Sequence, residues 1–144
     1  SRGLGDVYKR QDKYLDIVGL TKYRKYYPKQ LSASMLQRVS IARAFATEPE
    51  LLLMDEPYGQ LDIELRFKLE DELIKLWEMT KTTVIFITHN IEEAVYLGNR
   101  IMILTNKPTT VKRTVNNTLP RPRDIASPDF VALRTEVTDA IKWW

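Results

Sequence analysis

Between Leu51 and Glu56 the chain runs four apolar residues, "LLLM", straight into two adjacent acids, Asp55 and Glu56. A continuous apolar run of this length, bounded by polar residues, predicts a parallel β-strand covered on both faces. Upstream, "SMLQRVSIARAFA" places Met35, Val39, Ala42 and Ala46 at helical spacing, and Ser32 stands where a helix N-cap belongs. Downstream, "DIELRFKLEDELIKLWEMTK" carries an apolar stripe of Leu65, Leu69, Leu73 and Leu76, the mark of an amphipathic helix. "TTVIFIT" predicts a second strand that ends at His89, and "IEEAVYL" a short helix that stops at Gly98, a natural C-cap. "RIMIL" predicts a third strand. Before all of these, Asp12 to Gly19 and the residues around Lys22 read as short helical pieces that end in the turn-like "YYPKQ". The tail "TNKPTTVKRTVNNTLPRPRDIASP" reads as edge strands and loop. A last helix is expected in "SPDFVALRTEVTDAIKWW", with Ser127 as N-cap and Pro128 at the first helical position.

Alternating strands and helices imply right-handed crossovers and an α/β fold with a mostly parallel sheet and flanking helices. Ligands of such sheets bind beyond the carboxyl ends of the strands. Asp55 and Glu56 end one strand and His89 ends another, so all three are expected to face one crevice. Carboxylates there suit a phosphate-bound Mg²⁺, held by one of them, and an attacking water oriented by the other. Taken singly, an acid at a strand end is also what solvent exposure produces, and a lone histidine is also a common structural residue.

Composition narrows the class. The 144 residues are 44% hydrophobic and 28% charged, which fits one globular domain with a real core. No apolar run approaches the roughly 18 residues of a membrane span. With no cysteine, disulfides and thiolate chemistry are excluded. The net charge of +3 is unevenly spread, with basic ends and an acidic middle, so no nucleic-acid stripe is indicated.

The order of these elements carries more than any one of them. "LSASMLQRVSIARAFATEPELLLMDEPYGQLD", followed by "TVIFITHNIEEAVYLGNRIMIL", resembles the nucleotide-binding subunit of ABC transporters, from Tyr14 to about Leu133. Leu31 to Met35 fall on that family's signature loop, Leu51 to Glu56 on its Walker B strand, Tyr58 to Asp62 on its D-loop and His89 on its switch histidine. "YPKQLSASMLQR", "IEEAVYLGNRIMIL" and "LPRPRDIASPDFVALRTEV" are most similar to the nitrate, sulfonate and taurine import branch. The resemblance implies a partial P-loop NTPase fold and ATP hydrolysis coupled to uptake, with ATP and Mg²⁺ as cofactors. It implies that Asp55 holds Mg²⁺, that Glu56 is the general base or positions the water, and that His89 contacts the γ-phosphate. Ser32, Ala33, Ser34 and Met35 would meet the γ-phosphate of a nucleotide on a partner subunit, and Asp62 would cross the dimer interface. Implied partners are a second ATPase subunit, transmembrane permease subunits and, indirectly, a periplasmic or lipoprotein solute-binding protein. The implied location is cytoplasmic, peripheral on the inner face of a bacterial membrane.

Several departures accompany the resemblance. Ala33 and Ser34 stand where the family has two glycines, and Asn90 stands where Asp is usual. None of the five glycines belongs to a G-x-x-x-x-G-K-[ST] phosphate loop. Residues 1–11, "SRGLGDVYKRQ", match nothing in the family and are expected to be a non-native leader. Residues 12–144 then form the C-terminal part of one ATPase domain: 12–46 the end of its helical subdomain with the signature helix, 47–104 the Walker B to switch-histidine core, and 105–144 a C-terminal extension. A complete domain needs on the order of 100 further N-terminal residues. The chain by itself is expected to be inactive. Two alternatives stay open: a noncatalytic, regulatory ABC-like subunit, and a nucleic-acid-associated ABC ATPase.

Overall fold

The computed structural model describes residues 3–59 and 61–142, the side chain of Leu4 excepted. Ser1 and Arg2 of the leader, Gln60 of the D-loop stretch, and Trp143 and Trp144 of "IKWW" lie outside the described residues. The elements in chain order are α1 (Leu4–Ile17), α2 (Ala33–Ala46), β1 (Leu51–Asp55), α3 (Ile63–Thr80), β2 (Thr83–Ile87), α4 (Ile91–Leu97), β3 (Arg100–Leu104), β4 (Val111–Asn116) and α5 (Pro128–Ile141). Helices and strands alternate through the middle as the periodicity predicts. The first helix starts eight residues earlier than the Asp12 expected from the sequence and runs through most of the leader stretch.

The helix starts follow from short polar side chains. Ser32, Asp62 and Ser127 each accept a hydrogen bond from the backbone N–H three residues on, at Met35, Leu65 and Phe130. Each thereby satisfies one of the donors that a helix leaves unpaired at its start. At the other end of α3, Lys81 takes a left-handed φ of 54° and its N–H returns to the Trp77 carbonyl. Gly98 closes α4 in a different way from the left-handed C-cap expected of a glycine: its φ is −74°, but an added Cβ would sit 2.7 Å from the Ala94 carbonyl oxygen. Glycine is required there by close approach and not by handedness.

The chain forms two compact units, residues 1–54 with 58–85, and residues 55–57 with 86–144. In the first, α1, α2 and α3 pack together over Tyr14, Val18, Leu20, Ile41, Phe45, Leu69, Leu73 and Leu76, all buried. Each such side chain contributes roughly 1.5–3 kcal/mol of burial. Arg38 of α2 meets Glu72 of α3 at 3.2 Å, and burial raises the Glu72 carboxyl above its usual value although the nearby Arg38 pulls it down.

In the second unit β3 and β4 form an antiparallel pair, with Ile101 opposite Val115 and an irregularity between Ile103 and Leu104. The helices α4 and α5 pack on it, enclosing Val95, Ile101, Ile103, Val115, Phe130 and Val137. β1 and β2 form a pair of their own and run parallel: Thr83 N–H donates to the Glu50 carbonyl where they begin, and Glu56 N–H to the Ile87 carbonyl where they end. The expectation that β1 is covered on both faces is corrected here. Alternate residues are exposed, Leu51 by 49% and Leu53 by 67%, so an apolar run has one bare face. Among the described residues no helix is long and apolar enough to cross a membrane.

Candidate functional site

Asp55, Glu56 and His89 all belong to the second unit. Asp55 is the last residue of β1 and Glu56 follows it; His89 comes two residues after the end of β2. Because β1 and β2 are parallel neighbours, their carboxyl ends lie side by side, and the Glu56 Oε1 and His89 Nδ1 atoms stand 3.0 Å apart. Both side chains are at least half exposed, so the pair opens to solvent. Glu56 is also held in the left-handed region, with φ 43°, a conformation that costs a non-glycine residue roughly 1–2 kcal/mol. Its N–H is tied to the Ile87 carbonyl at 2.9 Å, which fixes that turn. Backbone strain of this kind concentrates at functional sites.

The turn that presents His89 is braced on both sides. Thr88 Oγ1 donates to the buried Glu93 carboxylate at 2.5 Å and accepts from the Asn90 N–H at 2.9 Å. Asn90 Oδ1 then accepts from the N–H groups of Glu92 and Glu93 and so caps α4. The asparagine that departs from the family pattern therefore has a full N-cap role, which Asp and Asn fill about equally well.

Ser32, Ala33, Ser34 and Met35 lie in the first unit, at the start of α2. The hydroxyls of Ser32 and Ser34 are 3.0 Å apart, and Ser32 Oγ accepts from Met35 N–H at 3.3 Å. Among the described residues, left-handed φ occurs only at Gly19, Glu48, Glu56 and Lys81. Ala33 and Ser34 thus take ordinary helical geometry, and glycine's tolerance of positive φ is not needed at either. Asp62 is exposed, in the same unit, and spends one carboxylate oxygen on the Leu65 N–H at 2.9 Å.

Among the described residues no group of three or more His, Cys, Asp or Glu side chains converges as a metal cage. Asp55 is exposed at its strand end, which leaves its carboxylate accessible. One carboxylate completed by phosphate and water oxygens is how Mg²⁺ is usually held beside a nucleotide, so the residue present fits that ion.

Asn117, Arg121 and Arg123 sit in the tail stretch expected to hold edge strands and loop, and all three reach back to the end of α4. The available signal was two arginines spaced by proline in "PRPR", four residues ahead of the Ser127 helix cap.

Residues 6–59 match the family model described as ABC transporter. The chain is 45% identical over 130 residues to an uncharacterized ABC transporter ATP-binding protein of Methanocaldococcus jannaschii, which covers 90% of this chain and 49% of that protein. It is 47% identical over 124 residues to the aliphatic sulfonates import ATP-binding protein of Bacillus thuringiensis, covering 86% of this chain and 49% of the relative. The chain spans about half the length of the curated relatives it matches. A solved ABC transporter in an inward-facing conformation shares the fold, with a TM-score of 0.66 at 23% identity over 94% of this chain and 51% of that one. The family match over residues 6–59 and these relatives make the chain similar to ATP-binding proteins of ABC transporters, and it shares the fold of a solved one.

Proposed function

We propose that this chain is the signature-to-switch portion of an ATP-hydrolysing subunit of an ABC importer, taking up a small oxyanion solute of the sulfonate, taurine or nitrate class. The observation that carries the reading is the Glu56–His89 pair, 3.0 Å apart at the ends of two parallel strands. In this reading Glu56 orients a water for attack on the γ-phosphorus and takes its proton, while the bond from that phosphorus to the ADP oxygen breaks. His89 donates a hydrogen bond to the γ-phosphate and exchanges it for Glu56 when the phosphate leaves. Asp55 would hold Mg²⁺, which would supply positive charge to offset that on the phosphate oxygens.

Ser32, Ala33, Ser34 and Met35 offer the start of α2 to the nucleotide of a second, identical subunit. The unpaired N–H groups and partial positive charge of a helix start suit an anion. Asp62 faces that second subunit. The other partners are permease subunits in the membrane, with a solute-binding protein acting through them, and the location is the inner face of the cell membrane. Ordinary helical φ at Ala33 and Ser34 removes one motive for the noncatalytic alternative, since the turn forms without glycine.

The test joins these residues to the phosphate-loop half of a sulfonate-import relative and measures Mg²⁺-dependent ATP hydrolysis. Turnover that falls at least about tenfold in Glu56→Gln, with ATP still bound, is the expected result and corresponds to about 1.4 kcal/mol of barrier. Near-parental turnover in that variant would reduce Glu56 to a strand-end acid. The chain alone, with no lysine-bearing phosphate loop, should show no micromolar ATP binding by calorimetry.

A further inference from the structure

His89 is presented by the turn that leads into α4, and α4 has only seven residues. So short a helix does not hold itself; tertiary contacts must place it. At its far end the carbonyls that a helix leaves unpaired are all occupied. Ala94 O accepts from Gly98 N–H at 2.9 Å. Val95 O accepts from Asn117 Nδ2 at 2.7 Å and from Arg123 Nη1 at 3.0 Å. Tyr96 O accepts from Arg123 Nη1 at 2.7 Å and Arg121 Nη1 at 3.2 Å, and Leu97 O from Arg121 Nη2. Gly98 O, one residue beyond, accepts from Asn117 Nδ2 and Arg123 Nη1, each at 2.9 Å. Apart from the Gly98 N–H, the donors all come from one strap, Asn117 to Arg123, 19 to 28 residues away in the chain.

This is more than a helix end requires. Water or a single glycine commonly suffices there. Instead Arg123 is 6% exposed and its Nη2 has no hydrogen-bond partner. Burial, and then the like charge of Arg121, lowers its guanidinium to about 10, so it stays protonated at neutral pH. A buried cation beside a second cation costs desolvation and repulsion, and the opposing gain is a rigid fork on a negative helix end. The opposite end of α4 is tied as well, by Arg134 of α5 to Glu92 at 3.2 Å and by Thr88 to Glu93. Between those ties and the strap, the helix has little freedom to shift, and His89 sits one residue before its cap.

We propose that the Asn117–Arg123 strap is a positioning device for the switch histidine, in which Arg121 and Arg123 grip the end of α4 so that its start holds His89 against Glu56. This rests on the reading of Glu56 and His89 as the hydrolytic pair; Arg121 and Arg123 are positioning residues and touch no substrate. A merely structural cap would add stability to the second unit and leave the relation of His89 to Glu56 unchanged.

His89 is the single histidine of the chain, so the one imidazole Cε1–H cross-peak in a carbon–proton nuclear magnetic resonance spectrum belongs to it. Glu56→Gln should move that peak in the parent, because it changes the group 3.0 Å from Nδ1. In Arg121→Ala, and in Arg123→Gln, the same Glu56→Gln change should lose most of its effect on the peak. The methyl signals of Val95 and Val137, both in the core of that unit, report whether it stays folded. Arg121 is only half-buried, so Arg121→Ala decides the matter should Arg123→Gln fail to fold. A parent peak indifferent to Glu56→Gln, or a response that survives intact in Arg121→Ala, overturns the proposal. No nucleotide takes part, so this outcome is separate from the hydrolysis assay: loss of ATPase activity with an intact imidazole response, or the reverse, identifies which of the two readings has failed.

Discussion

Two turns in this molecule start a helix at positions expected to meet ATP, and they are built differently. The switch turn at His89 has a layer behind it. Thr88 bridges Glu93 and the Asn90 N–H, Asn90 takes two backbone donors, and the following helix is gripped at its far end. The signature turn at Ser32 has one cap bond, at 3.3 Å, and a contact between two hydroxyls, Ser32 and Ser34, both within reach of solvent. The first geometry fixes a side chain in place before a ligand arrives. The second leaves hydroxyls and N–H groups that a ligand can recruit with few bonds to break. Preorganised groups spare the cost of ordering at the moment of reaction, whereas loosely held ones adapt at a cost in affinity.

The contrast can be broken most sharply at the histidine itself. In the joined ATPase, His89→Ala should reduce turnover by about tenfold or more, on the order of 1.4 kcal/mol, measured at saturating ATP. Of comparable size is Thr88→Val, which deprives the buried Glu93 of a donor and the Asn90 N–H of an acceptor. Hydrogen bonds to charged groups are worth about 1.5–3 kcal/mol, so chemical denaturation should show a loss in that range. The matching change in the other turn, Ser34→Ala, should stay within about 0.5 kcal/mol. Equal losses from Thr88→Val and Ser34→Ala would erase the distinction between the turns.

Changes milder than Thr88→Val sharpen it. Ser32→Ala removes a lone N-cap and should cost about 1 kcal/mol of stability by thermal unfolding. Asn90→Asp restores the acid usual in the family but keeps the cap, so its stability should stay within about 0.5 kcal/mol of the parent. Asp and Asn cap about equally, and a negative charge at a helix start is favourable. Smallest is Glu72→Gln. The Glu72 carboxyl is raised above its usual value of 4.5, by burial first, so the folded state favours its protonated form. Its contribution to stability is then fully present below the unfolded value and is lost as pH rises through the folded one. Thermal midpoints of parent and Glu72→Gln should therefore converge in acid, and at neutral pH the glutamine variant should be equal or slightly more stable.

Much of this architecture was legible because it is written locally. Ser127 and Pro128 mark the start of α5, Ser32 that of α2, and "LLLMD" and "TTVIFIT" read as strands from a few residues alone. The convergence of Glu56 with His89 was legible one level up, since parallel strands align their carboxyl ends. What escaped depends on partners far apart in the chain. Asn117 reaches residues 22 and 19 positions back, and Arg123 reaches Val95 across 28, with no periodicity to announce it. The bare face of β1 escaped for a related reason. An apolar run states that a strand can be covered twice, but coverage depends on which neighbours are there. No element was expected before Asp12, yet α1 begins at Leu4, and Arg10 within it makes an ion pair with Glu48 at 3.4 Å.

The exposed face of the first strand pair leaves apolar surface still to be buried. Leu51, Leu53 and Ile85 stand out of the first unit's strands as a row of aliphatic side chains, each about half exposed or more. Covering each of them is worth roughly 1.5–3 kcal/mol, so this face is the part of the first unit with most to gain from a further apolar layer.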